Sequence, residues 1–254
     1  MTLYQLANHL SSFLAITPTF IIEPKKQKGE PHMNADQLAQ YFDHTQLRAY
    51  ATDADFETLC AESRKYHFRM VAINPAPVRL CKRLLAGTDI HVGAAIGFPL
   101  GQSTREIKKL ETENALENGA DEIDYVVNLT RLKEKDYTFI EKEMEGIVET
   151  CRARGAISKV IFENCYLTQE EKIALCDIAR SIRPDFVKTS TGFGTGGATE
   201  EGVRLMVERT RGEVKVKAAG GIRTLDAALR MIDLGVSRIG STASVKIMEE
   251  FLAR

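Results

Sequence analysis

From Met33 onward the chain repeats one pattern eight times, a short β-rich run followed by a segment long enough for a helix. The first four runs are FDHT at 42–45, RMVAIN at 69–74, IHVGAAIGF at 90–98 and EIDYVVN at 122–128. SKVIFEN at 158–164, FVKTST at 186–191, VKVKAAG at 214–220 and SRIGST at 237–242 complete the series. The segments between them carry helical spacing, as in Ile140, Met144, Ile147, Val148 and Cys151, or Leu225, Leu229 and Ile232. Strands joined by helix-length crossovers pair in parallel. An α/β fold, a single closed (β/α)8 TIM barrel over residues 33–254, accounts for the count; an open doubly wound sheet is the alternative. No composition shift after Met33 marks a second domain.

Residues 1–32 differ from this pattern. LSSFLAITPTFIIEP is apolar, but no basic stretch precedes it and no small-residue cleavage site follows, so it reads as non-secretory. The linker PKKQKGEPH then leads to Met33. Residues 1–32 are therefore expected to be an N-terminal extension outside the fold. A formal charge of −1 gives no reason to expect nucleic acid or an anionic membrane as partner. No apolar run approaches the roughly 18 residues of a bilayer span. Cys60, Cys81, Cys151, Cys165 and Cys176 are odd in number and form no Cys-x-x-Cys pair, which suits reduced thiols in a cytoplasm.

Strand parity places charges in the barrel interior. If Ile123, Tyr125 and Val127 face the helices, Asp124 points inward; Val187 and Thr189 outward turn Lys188 inward; Val214, Val216 and Ala218 outward turn Lys217 inward. Asp43 shares parity with Thr45, and both are placed inside. Lys215 shares the parity of Lys217 but comes earlier in its strand, toward the opposite mouth. Internal ion pairs filling a polar layer would explain any one of these charges. Two lysines on adjacent strands repel each other, however, and buried charge costs several kcal/mol unless paired.

Chemistry explains the lysines better. An amine near its reference pKa of about 10.4 is protonated and inert at neutral pH. A second ammonium and partial burial depress that value and expose a lone pair able to form a Schiff base with a carbonyl. Lys188 or Lys217 could be the nucleophile; the hydroxyls and turn of Thr189-Ser-Thr-Gly192 favour Lys188, with Lys217 as the perturbing charge. Asp124 and Asp43 are the available acid/base groups. AGGIRT at 219–224 and IGSTAS at 239–244 follow the last two runs and lead into helices. Backbone N–H groups at such starts, unobstructed at Gly220, Gly221 and Gly240, suit a phosphate.

Together DHT at 43–45, VAINP at 71–75, IGFPLG at 96–101, GADEIDYVVN at 119–128, KTSTGFGTGGAT at 188–199 and VKAAGGIRT at 216–224 resemble the deoxyribose-phosphate aldolase family, over residues 35–252. The resemblance implies a class I aldolase needing no metal and no cofactor, which reversibly cleaves 2-deoxy-D-ribose 5-phosphate to D-glyceraldehyde 3-phosphate and acetaldehyde. It implies Lys188 as the Schiff-base residue, Lys217 as the lysine that lowers its pKa, Asp124 in the proton relay and Asp43 bridging to Lys217. Gly192, Gly220, Gly221, Arg223, Gly240 and Thr242 would surround the phosphate, with the Thr45 and Thr191 hydroxyls beside the substrate. A homo-oligomer, dimer or tetramer, is implied as well. Two positions depart from the family: Ala72 stands where many members carry cysteine, and Ala243 where serine is frequent.

Three rivals make different demands. A metal-dependent aldolase needs a ligand cluster, and His9, His32, His44, His67 and His91 show no paired spacing. A transaldolase-like enzyme shares the lysine logic but takes a keto-sugar phosphate. A non-catalytic phosphate-binding barrel leaves the lysines without a task.

Overall fold

The computed structural model describes residues 33–254. The expected extension at 1–32 lies outside the described residues. Eight parallel strands form a closed barrel in sequence order: β1 (Phe42–Gln46), β2 (Met70–Ile73), β3 (His91–Ile96), β4 (Glu122–Val126), β5 (Ile157–Ile161), β6 (Phe186–Lys188), β7 (Lys215–Ala219) and β8 (Arg238–Ser241). β8 pairs with β1, Asp43 opposite Gly240, so the sheet has no free edge and the doubly wound alternative falls.

The helices are α1 (Ala35–Ala39), α2 (Asp53–Tyr66), α3 (Val78–Leu84), α4 (Arg105–Glu117), α5 (Leu129–Lys133) and α6 (Tyr137–Ala153), followed by α7 (Gln169–Ile182), α8 (Glu200–Thr210), α9 (Leu225–Asp233) and α10 (Ser244–Leu252). Their starts are written locally. Thr168 and Glu171 form a capping box on α7, and Thr199 and Thr224 accept from backbone N–H groups of α8 and α9. Outward-facing Val71, Ile123, Val160, Val187, Val216 and Ile239 join Leu59, Cys81, Ile147, Leu175, Met206 and Ile247 of the helices in one apolar shell. Each such side chain contributes about 1.5–3 kcal/mol on burial.

Several strands are shorter than the β-rich runs, each for a local reason. Beyond Lys188 a side chain joins the backbone ladder: Thr189 Oγ1 donates to the Ala219 carbonyl and accepts from the Ala219 N–H, both at 3.1 Å. Asn128, read as strand, caps α5 by accepting from Arg131 N–H. Glu163 has a left-handed φ of 58° and ends the run after β5. Lys215 is exposed at the opposite mouth, its Nζ 5.5 Å from the Phe186 ring centre, as its position in the strand required.

Candidate active site

The alternation of β4, β6 and β7 sends three side chains to one point. Lys188 Nζ and Lys217 Nζ both donate to the same oxygen of Asp124, Oδ2, at 2.8 and 2.7 Å. The strand register puts Lys188 directly opposite Lys217, so the two ammoniums meet because their strands are neighbours. Lys217 also contacts Asp43 Oδ2 at 2.5 Å, which brings all four expected residues into one cluster.

Burial penalises the charged form of Lys188; Asp124 partly restores it, but Lys217 and Lys159 oppose it, and the amine falls to about 8. Burial alone would raise the Asp124 carboxyl, yet Lys159, Lys188 and Lys217 together hold it well below the usual carboxylate range. Lys188 is thus an amine with an accessible neutral form, resting on a carboxylate that stays ionised.

Parity, applied to every strand, would have found more. Lys159 of β5, Glu122 of β4 and Arg238 of β8 also point inward and are buried. Lys159 Nζ reaches Asp124 Oδ1 at 2.6 Å and Glu122 Oε2 at 2.5 Å. Arg238 joins Glu122 at 2.7 Å and Asp43 at 2.8 Å, closing a ring of alternating charges beneath the two lysines. Burial works against the charged forms of Glu122 and Lys159, and their ring partners outweigh it in both.

Above the cluster a cavity of about 600 Å³ opens at the C-terminal mouth. Its walls include Lys188, Thr45, Thr191, Gly192, Gly220, Gly221, Arg223, Gly240 and Thr242, while Lys217, Asp124 and Asp43 lie beneath it. Gly197 packs on the Gly220 carbonyl so closely that a Cβ at 197 would lie 2.2 Å from that oxygen. Ala198 N–H reinforces the contact, donating to the Ala219 and Gly220 carbonyls at 3.1 Å. Helix α10 starts after Ala243, which offers no side-chain cap, whereas α9 has Thr224. Ala243 N–H donates to Ser241 Oγ at 2.9 Å, and no side chain at Ala243 caps the first turn of α10, the kind of helix start that suits an anion. Arg223 and Thr242 are exposed at the rim.

Two expected contacts are engaged within the protein. The Thr191 hydroxyl donates to Glu163, which also accepts from Thr191 N–H, and Thr45 Oγ1 donates to the Asp43 carbonyl at 3.0 Å. Glu163 shares the parity of Lys159 in the run at 158–164. Ala72 sits inside the barrel opposite Thr45. His44 also reaches the cavity wall; its Nε2 lies 2.7 Å from Glu62, and burial keeps the ring below its ordinary pKa despite that carboxylate. Among the described residues no group of three or more His, Cys, Asp or Glu side chains is placed to hold a metal ion.

Comparison with known proteins agrees with this geometry. The sequence profile of the DeoC/LacD family aldolase matches residues 37–242. The chain belongs to that family. It is an aldolase, a carbon–carbon lyase, and the resemblance read from its motifs holds. A deoxyribose-phosphate aldolase of Lactobacillus acidophilus is 53% identical over 219 residues, covering 86% of this chain and 92% of the relative. That of Thermococcus kodakarensis is 49% identical over 219 residues, covering 85% and 98%. The tetrameric deoxyribose phosphate aldolase of Aeropyrum pernix superposes with a TM-score of 0.81 at 32% identity, over 87% of this chain and 93% of that one. Among the described residues no helix of this aldolase is long and apolar enough to cross a membrane.

Proposed function

We propose that this aldolase reversibly cleaves 2-deoxy-D-ribose 5-phosphate to D-glyceraldehyde 3-phosphate and acetaldehyde through a Schiff base on Lys188. The observation that carries the reading is the pair of ammoniums on one Asp124 oxygen, with the Lys188 amine at about 8. Relatives named for this activity, about half identical over most of their length, support the choice of substrate.

The open-chain sugar enters with its phosphate at the Gly220–Gly221 turn and the start of α10. The neutral Lys188 Nζ attacks the C1 aldehyde; the carbinolamine loses water and becomes a protonated imine. Removal of the C3 hydroxyl proton drives cleavage of the C2–C3 bond, whose electron pair moves into the imine to give an enamine. Glyceraldehyde 3-phosphate leaves. Protonation of the enamine at C2 and addition of water release acetaldehyde and return the amine. Asp124 and Lys217 carry the protons, with Asp43 holding Lys217 in place.

The same proposal includes a metal- and cofactor-independent reaction in deoxyribose phosphate catabolism in a reducing cytoplasm, by a dimer or tetramer whose substrates are small molecules and not nucleic acid. Residues 33–254 form the catalytic domain, so a chain beginning at Met33 keeps its activity. Borohydride reduction with acetaldehyde, followed by peptide mapping, tests the chemistry. Label on Lys188 is expected, with turnover unchanged by chelator; label elsewhere, or none, refutes it. Turnover of a keto-sugar phosphate in preference to deoxyribose 5-phosphate would favour the transaldolase-like rival.

A further inference from the structure

The charged ring below Lys188 has a countable balance. Three carboxylates, Asp43, Glu122 and Asp124, alternate with three cations, Arg238, Lys159 and Lys217, and every neighbour is in ion-pair contact. The ring is therefore neutral before Lys188 is added. His91 of β3 touches the ring from outside it: its Nδ1 is 2.7 Å from Glu122 Oε1, and Arg69 NH2 lies 3.3 Å from its Nε2.

Among the described residues the other elements around Arg238 bring no compensating negative charge. β2 offers the Met70 sulfur, β6 the Phe186 ring at 5.7 Å, and β7 the exposed Lys215 beside that ring. Lys188 itself faces Asp124 of β4, Lys159 of β5 and Lys217 of β7. With each carboxylate already shared between two ring cations, the seventh charge has no counterion of its own.

We propose that Arg238 is a positioning residue for the reaction: by neutralising Asp43 and Glu122 on the far side of the barrel, it leaves Lys188 as the surplus cation and so frees its amine of a proton near neutral pH. This role rests on the reading of Lys188 as the nucleophile. Without the guanidinium the network carries one more negative than positive ring charge, and Lys188 keeps its proton to higher pH. Without the Glu122 charge the surplus becomes larger, and Lys188 releases its proton earlier.

The test reads the amine without any substrate. The pH dependence of Lys188 acetylation by dilute acetic anhydride, followed by peptide mass, is measured in the full chain and in Arg238→Met, Arg238→Lys, Glu122→Gln and the double variant Arg238→Met/Glu122→Gln. The midpoint is expected to rise by about one pH unit in Arg238→Met and fall by about one in Glu122→Gln, the scale for losing one unit charge from a buried network at an effective dielectric of about 20. Arg238→Lys and the double variant, which both keep the ring neutral, are expected to stay near the wild-type midpoint. Unmoved midpoints in the single variants, or shifts in the same direction, overturn the proposal. Should Arg238→Met fail to fold, Glu122→Gln and the double variant decide, since opposite charges are removed together in the latter. Borohydride trapping separates the two claims. Loss of trapping in the wild type sinks the Schiff-base reading alone, while unmoved midpoints with trapping intact sink the role of Arg238 alone.

Discussion

Two buried charge clusters in this aldolase look alike and behave differently. Outside the barrel, Lys108 of α4 and Glu143 of α6 are fully enclosed and meet at 2.6 Å, one cation to one anion. Lys108 also donates to the Val126 carbonyl at 2.7 Å, and Glu143 accepts from Asn128 N–H at 2.9 Å, so the pair fastens the end of β4 to the helices behind it. Burial pushes Lys108 down and Glu143 up, each against its partner's pull. Inside the barrel, the one carboxylate that Lys188 contacts among the described residues is shared with Lys217. A matched pair holds elements together; a set with one cation in excess lowers the pKa of an amine to about 8.

The comparison is broken most severely at Lys188. Lys188→Met is expected to lower kcat/KM for deoxyribose 5-phosphate by on the order of 10⁴ or more, without loss of thermal stability. In the wild type the neutral amine declines as pH falls below about 8, so kcat/KM is expected to drop roughly tenfold between pH 7 and 6. Lys108→Met sharpens the contrast from the other side. Stranding Glu143 costs about 3–5 kcal/mol in urea denaturation, while the acid limb of the pH–rate profile stays in place. Lys108→Met/Glu143→Gln is expected to recover much of that loss.

A third variant probes the loops above Lys188. Gly197→Ala must separate the two loops, because its Cβ would meet the Gly220 carbonyl; KM for the phosphorylated sugar is expected to rise roughly tenfold, more than kcat falls. The smallest effect belongs to an exposed cluster. His67 bridges Asp36 at 2.6 Å and Asp89 at 2.9 Å, and those two carboxylates raise its pKa. Its contribution is full below the unfolded value of about 6.5 and is lost as pH rises through the folded value. A slight fall in melting temperature from pH 6 to 8, abolished in His67→Gln, is the expected sign; solvent screening keeps it small.

Much of this was legible in the sequence, because a parallel barrel writes itself as period-two runs between amphipathic helices. Parity alone put Asp43, Asp124, Lys188 and Lys217 inside, and glycine turns after β7 and β8 marked the mouth. The same rule held for Lys159, Glu122 and Arg238, whose inward orientation follows from Val160, Ile123 and Ile239 beside them; looking only near strand ends missed this lower layer. Parity hinted at Glu163 as well, but not at the left-handed turn that aims it at Thr191. The Lys108–Glu143 pair was not legible, because a lysine within a helix reads as solvent-facing until tertiary packing encloses it.

Gly220 lines the cavity and is backed by Gly197, so this stretch of wall cannot yield. It is two backbones pressed together, where even a methyl group has no room. Another part of the lining is made of side chains, of which Asp55 caps α2 and Glu62 holds His44, whereas Arg48 and Thr58 are open to change. Diversification toward bulkier aldehydes therefore has its least costly direction at Arg48 and Thr58, along the first βα connection and the inner face of α2.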